Sequence, residues 1–328
     1  MNLVKSLSNK KKVDFKHLFL DNLVVVAILL LVVVTAIVEP KFLTLGNMTN
    51  IMRQFGPLIM VSLGMTFVII GGFVDLSVGG IFSLVAVVTI MLIPMVGQVM
   101  ALIFGLFLGA FCGFLNSALL LSSGAVTSAE AMFITYGMSM VHSALALLIS
   151  NGSTQYMRAI EVNTSIFKLI GSGRIGFIAF SFILFLICLV VLFFIQAKTY
   201  IGRSIKMAGG NKTAAGLAGV PVGLAIISIF AISGLMTGLG AIVGFSRAAV
   251  AAPTLGKGYE TNAILAVVVG GTSLKGGHGS VLKTVLGGLL IILMSNCLNL
   301  LGASTELQSV LKGLILVMAI WLDNRKYK

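Results

Sequence analysis

The stretch VVVGGTSLKGGHGSV, Val267 to Val281, runs from apolar residues into glycines set around one lysine. A glycine-rich loop with a lysine invites comparison with a phosphate cradle, but that cradle needs GxxxxGK followed at once by Ser or Thr. Here Lys275 precedes Gly276 and Gly277, and no other part of the chain fits. A nucleotide site of that kind is excluded. What remains is a turn or a helix broken by glycines, and the stretch holds more glycine than a turn needs. A broken helix is therefore the expectation, and its surroundings decide the fold.

Those surroundings are apolar. The chain is 58% hydrophobic and 9% charged, with a mean hydropathy of +1.13. An average soluble domain carries about 25% charged residues. So much apolar surface points to an all-α polytopic membrane protein. The net charge of +13 would suit a nucleic-acid binder. However, the basic residues avoid the apolar runs and gather in loops and tails, as they do when they orient a membrane protein. Lipid is the expected surrounding, and nucleic acid is not an expected partner. Cys112, Cys188 and Cys297 all lie inside apolar runs and read as small core residues, with no metal-ligand spacing. Residues 1–17 carry Lys5, Lys10, Lys11, Lys12 and Lys16, and no small-residue cleavage site precedes Glu39-Pro40. They read as a cytoplasmic tail rather than a cleaved leader.

A crossing helix needs roughly 20 apolar residues. The expected segments are Leu18–Val38, Phe55–Ile70, Val78–Ile93, Val99–Leu121, Ala131–Ile149, Phe177–Ile195, Val222–Phe245, Thr261–Leu274, Thr284–Leu301 and Leu307–Leu322. They make about ten helices in one transmembrane domain, 18–322, followed by a short tail, 323–328. The third and fourth share an uncharged run from Leu76 to Ala129, with a turn expected near Pro94 and Gly97. The eighth is too short for a straight crossing. With ten crossings, the inner side holds the N-terminal lysines, Lys198, Arg203, Lys206, Lys212, Lys275, Lys283, Arg325, Lys326 and Lys328. The outer side holds Lys41, Arg53, Arg158, Lys168, Arg174, Arg247 and Lys257. The bias of about two to one predicts both termini in the cytoplasm. Gly105, Gly109 and Gly113 form a tandem GxxxG, and Gly234/Gly238 and Gly240/Gly244 repeat the spacing, which suits close helix packing in lipid.

The opening stretch has a counterpart. GGFVDLSVGG, Gly71 to Gly80, also places polar residues between two Gly-Gly pairs and two apolar runs. Paired, glycine-interrupted segments point to broken helices that line a pathway. The expected hinges are Gly71, Gly72, Gly270, Gly271, Gly276 and Gly277. The expected pathway groups are Asp75, Ser77, Thr272, Ser273 and Lys275, where Thr272, Ser273 and exposed backbone groups supply weak hydrogen bonds to a neutral polar cargo and Asp75 faces them. Asp75 has two readings, a functional buried acid or a cap on the next helix. Lys312 snorkels or lines the pathway. Thr127 to Glu130 has a capping-box pattern, so Glu130 reads as structural. His17, His142 and His278 are scattered, and no catalytic or metal-binding grouping is expected. The basic loop 196–221 is the expected docking segment. Gly202, Arg203, Gly210, Asn211, Ala214, Ala215 and Gly219 carry it, with Asn211 capping a short helix that Gly219 stops.

FLTLGNMTNIMRQ, GMTFVIIGGFVDLSVGG, GRSIKMAGGNKTAAGLAGV, GYETNAILAVVVGGTSLKGGHGSVLKTVLGG and NLLGAS carry a resemblance that runs from about Phe42 to Leu322. In these motifs the chain resembles the permease subunits of bacterial ABC importers of the ribose, xylose and galactose type, within the branched-chain permease superfamily. The resemblance implies a type II importer-like fold with broken or re-entrant segments in the bacterial inner membrane. It implies a second permease subunit, identical or related, and a separate cytoplasmic ATPase that holds ATP and Mg. It also implies an external sugar-binding protein, periplasmic or lipid-anchored. The chain itself would bind no cofactor and catalyse no reaction. SSGAVTSAEAMFITYGMSM and NGSTQYMRAIEVNTS depart from the family pattern. A nucleoside or furanosyl signalling molecule therefore stays open as cargo beside a ribose-like sugar. A self-sufficient secondary transporter is the competing class.

Overall fold

The computed structural model of the protein describes residues 23–124 and 127–326. The expected tail 1–17, the start of the first expected span, and residues 327–328 lie outside the described residues. Twelve α-helices appear among the described residues: α1 (Leu23–Val38), α2 (Leu45–Ile70), α3 (Val78–Ser122), α4 (Ser128–Ile149), α5 (Ser165–Ser172), α6 (Phe180–Lys198), α7 (Tyr200–Gly210), α8 (Lys212–Leu217), α9 (Val222–Ala248), α10 (Tyr259–Val269), α11 (Val281–Leu300) and α12 (Thr305–Lys326). Each expected segment falls on one of them, and the end of α12 takes in residues 323–326 of the expected tail. Six helices, α2, α3, α4, α6, α9 and α11, are long and apolar enough to cross a membrane. The chain is a multi-pass membrane protein.

Helix α3 is a hairpin rather than a rod. Gly97 has φ 78° and ψ 164°, three residues after Pro94. A side chain is disfavoured at that angle, and a proline nearby loosens the helix, so the chain reverses there. The two arms are about 28 and 37 Å long at 1.5 Å per residue. They run back along each other, so that Asn116 near the end of the helix reaches Ser77 at its start, at 2.6 Å. The returning arm packs on α9 backbone to backbone. A Cβ added at Gly109 would lie 2.9 Å from the Gly238 Cα, and one at Gly234 would lie 2.9 Å from the Gly113 Cα. The tandem GxxxG thus does what its spacing predicts.

Helix α2 is the axis. Every residue from Phe55 to Ile70 is buried, so it is apolar on all sides. By contrast, α4 and α6 carry exposed Phe133, Leu148, Val190 and Phe194 on the outside of the bundle. One end of the bundle is closed by α5 and two short strand pairings. In these β1 (Gln155–Tyr156) pairs with β4 (Val250–Ala251), and β2 (Arg174–Ile175) pairs with β3 (Ile178–Ala179). The opposite end carries α7 and α8. Helix α10 has only 11 residues, about 16 Å. It starts inside the helical layer and ends at the α7–α8 end.

Candidate functional site

The two Gly-Gly motifs stop their helices in the same way. After α2, Gly72 turns left-handed (φ 78°), its N–H donates to Ile69 O (3.0 Å), and Phe73 N–H donates to Val68 O (3.1 Å). After α10, Gly271 does the same (φ 86°), donating to Val268 O (2.8 Å), while Thr272 N–H donates to Val267 O (3.2 Å). Both are Schellman endings, which satisfy the last carbonyls of a helix.

The two stops also meet. Gly277 N–H donates to Ile70 O at 2.7 Å. A Cβ on Gly276 would lie 2.8 Å from the Gly72 Cα. Between them enters the end of α7, where a Cβ on Gly209 would lie 2.9 Å from Gly277 N and one on Gly277 would lie 2.9 Å from the Gly210 Cα. Three glycine pairs, 71–72, 209–210 and 276–277, therefore form one junction of bare backbone. Gly209 is a member that the sequence reading did not single out. Above the junction the Thr66 and Thr284 hydroxyls share a hydrogen bond of 2.7 Å, which ties α2 to α11.

From the junction, residues 73–77 run outside any helix, with Phe73, Asp75 and Ser77 buried and Val74 and Leu76 less so, and Ser77 takes helical backbone angles (φ −80°, ψ −15°) at the start of α3. Asp75 Oδ1 accepts from Ser77 N–H (2.9 Å) and Ser77 Oγ (2.6 Å), and Oδ2 accepts from Ser233 Oγ (3.1 Å) on α9. Asn116 donates to Ser77 Oγ, and Leu76 N–H donates to the Thr135 hydroxyl of α4 at 3.1 Å. The carboxylate is fully buried, and its hydrogen bonds lead to α3 and α9. Its hydrogen-bond partners are serines, and neither Thr272 nor Ser273 is among them.

Thr272 and Ser273 are buried in the second loop. Ser273 Oγ accepts from Lys275 N–H (3.3 Å), and Ser273 N–H donates to His278 O (3.1 Å), which closes the turn on itself. Among the described residues the Thr272 hydroxyl has no hydrogen-bond partner, and Lys275 is exposed. Leu274 N–H donates to Asp323 of α12 at 3.3 Å.

Sequence reasoning missed a second acid. Helix α10 begins against the start of α3. Gly256 N–H donates to Ser83 Oγ (2.9 Å), and Tyr259 stacks on Phe82 with centroids 4.1 Å apart. Glu260 Oε1 accepts from Gly258 N–H (3.1 Å), and Oε2 lies against Gly79 with no hydrogen-bond partner. Two helix N-termini thus meet inside the layer with Glu260 between them and Asp75 on the far side of Ser77. The positive ends of both helices favour these carboxylates. Glu260 was legible as an acid one residue ahead of an uncharged run. Counting that run from Thr261 left it out.

At the far end of α7, Asn211 Oδ1 accepts from Ala214 N–H at 2.9 Å and caps α8, and the Thr127–Glu130 capping box forms on α4. Arg203, Gly210, Ala214 and Gly219 are exposed, while Gly202 is buried. Ala215 is 4% exposed and packs within its own chain. The side chain that stands out is Leu217, at 88% exposed.

A family model described as "Branched-chain amino acid transport system / permease component" matches residues 47–320. The chain is 35% identical over 298 residues to the ribose import permease protein RbsC of Bacillus subtilis (strain 168), covering 90% of each. It is 33% identical over 303 residues to the RbsC of Escherichia coli (strain K12), covering 92% of each. It is also 33% identical over 325 residues to the D-allose transport system permease protein AlsC of the same strain, covering 98% of this chain and 97% of that one. No solved structure matches the chain.

Proposed function

We propose, from the premise that this chain belongs to the branched-chain amino acid transport system / permease component family, that it is the membrane-spanning subunit of an ATP-binding-cassette importer for a monosaccharide. The likeness to ribose and D-allose permeases over nine-tenths of the chain or more carries this reading. The chain sits in the bacterial inner membrane with about ten crossings in a type II arrangement and both termini in the cytoplasm. It pairs with a second permease subunit, receives sugar from an external binding protein, and works by alternating access. ATP and Mg act on a separate ATPase that docks at the α7–α8 end. Sugar passes the two glycine-stopped loops, where Asp75, Ser77, Thr272, Ser273 and Lys275 border the path. The enclosed geometry of these loops supports a closed state. Nucleotide on one side and loaded binding protein on the other must favour different states for transport to cycle.

The test is reconstitution in proteoliposomes with the cognate ATPase and binding protein, using labelled ribose, allose and fructose. Uptake of one of them only with ATP is expected. Equal uptake without the ATPase would make the protein a secondary transporter instead. Docking has its own readout. Leu217→Asp places a charge on the exposed tip of α8, and burying it without a partner costs several kcal/mol. The purified permease should then lose the ATPase while keeping its own fold.

A further inference from the structure

Lys212, the first residue of α8, is half-buried. Its Nζ lies 3.6 Å from the centroid of the Phe73 ring. Phe73 is the first residue of the Phe73–Ser77 segment that leads to Asp75, and it is 1% exposed. The ring also packs against Phe230 of α9, with centroids 5.9 Å apart. Two residues on, Asp75 binds Ser233 of the same helix. Burial pulls the Lys212 ammonium below its usual range, and the negative charge of Glu130 at the start of α4 pushes it back. The lysine therefore ties the α8 tip to the Phe73–Ser77 segment and feels the charge at the start of α4, the helix whose Thr135 holds Leu76.

We propose that Lys212 is a positioning residue that carries movement of the α7–α8 segment into the Phe73–Ser77 segment through its ammonium on the Phe73 ring. The proposal rests on the reading that the ATPase docks at α7–α8. The glycine junction at Gly209 joins the same two segments, but through bare backbone. Lys212 adds a contact of about 3.6 Å that is directional and charged, so it holds only while α8 and the ring keep register. A cation over a desolvated ring is strong enough to bias a two-state element by about tenfold.

The experiment measures sugar taken up per ATP hydrolysed in proteoliposomes that hold the full complex. Lys212→Gln and Phe73→Leu should each lower that ratio by about tenfold while the ATPase still co-purifies and hydrolyses ATP. Lys212→Arg should restore most of the ratio, because a guanidinium also binds a ring face. Lys212→Gln and Phe73→Leu combined should do no more than either alone. A normal ratio in either single variant overturns the proposal, as does an additive double variant. If Lys212→Gln failed to assemble, Phe73→Leu, which keeps the apolar volume, and Lys212→Arg would still decide. Wild-type complex that hydrolyses ATP without importing sugar would overturn the functional reading instead, so the two failures are distinguishable.

Discussion

The loops after α2 and α10 begin alike and end differently. Both leave their helix through the same left-handed glycine ending. The first then becomes a short non-helical connector whose one acid is satisfied from the start of α3 and from α9. The second folds into a turn closed partly on itself, leaves the Thr272 hydroxyl without a hydrogen-bond partner among the described residues, and is tied to its surroundings at separate points, by Asp323 of α12 at Leu274, by Gln196 of α6 at Gly279 and by Ile70 at Gly277. The same sequence punctuation therefore serves two roles. One loop is a brace, built so that any displacement breaks several buried hydrogen bonds. The other is a plug, whose internal bonds survive if it moves as a unit. The partners, not the glycines, make that difference.

Substitutions can break the comparison. The largest effect should come from where brace and plug touch. Gly276→Val would drive a branched side chain into the Gly72 backbone, 2.8 Å from its Cα, at a residue that is also left-handed (φ 82°). A loss of more than about 4 kcal/mol is expected, which for this fold means little protein recovered as a monodisperse peak in detergent. Normal recovery would show that the two loops do not press on each other. Next comes Asp75→Ala in the brace. It leaves the hydroxyls of Ser77 and Ser233 and the Ser77 N–H without an acceptor. At about 1–3 kcal/mol for each stranded buried group, the melting temperature should fall clearly. Asp75→Asn, which keeps one acceptor oxygen, should lose less. The smallest effect should be Thr272→Val in the plug. The hydroxyl has no partner to strand, so stability should stay within about 0.5 kcal/mol of wild type, read from the same melting curves. A large loss there would mean that the plug is braced as well.

Local signals were legible in the sequence. The turn at Pro94–Gly97, the capping box at Thr127–Glu130, the Asn211 cap and both glycine stops each depend on residues within a few positions of one another. The similarity of GGFVDLSVGG and GGTSLKGGHG was also legible, because the two carry the same helix ending. What was not legible depends on distance along the chain. Ser233 lies 158 residues from Asp75, and no local pattern announces it. Gly209 became informative only when α7 was seen to end between two loops. Nor does any local pattern say that Ala215 is buried while Ala214 and Ala218 beside it are exposed. Lys212 looked like one more inner-side positive charge until the Phe73 ring was found beneath it.

The glycine junction also sets where this protein can change over time. Contacts between side chains can be retuned by a methyl group at a time, weakened here and strengthened there. Where three backbones touch with nothing between them, no smaller residue exists to try, and most larger ones collide. That meeting point has no neighbouring solutions to drift into. Adjustment of how firmly the α7–α8 end grips the interior must then fall on the side chains around it, among them a lysine and the ring it covers.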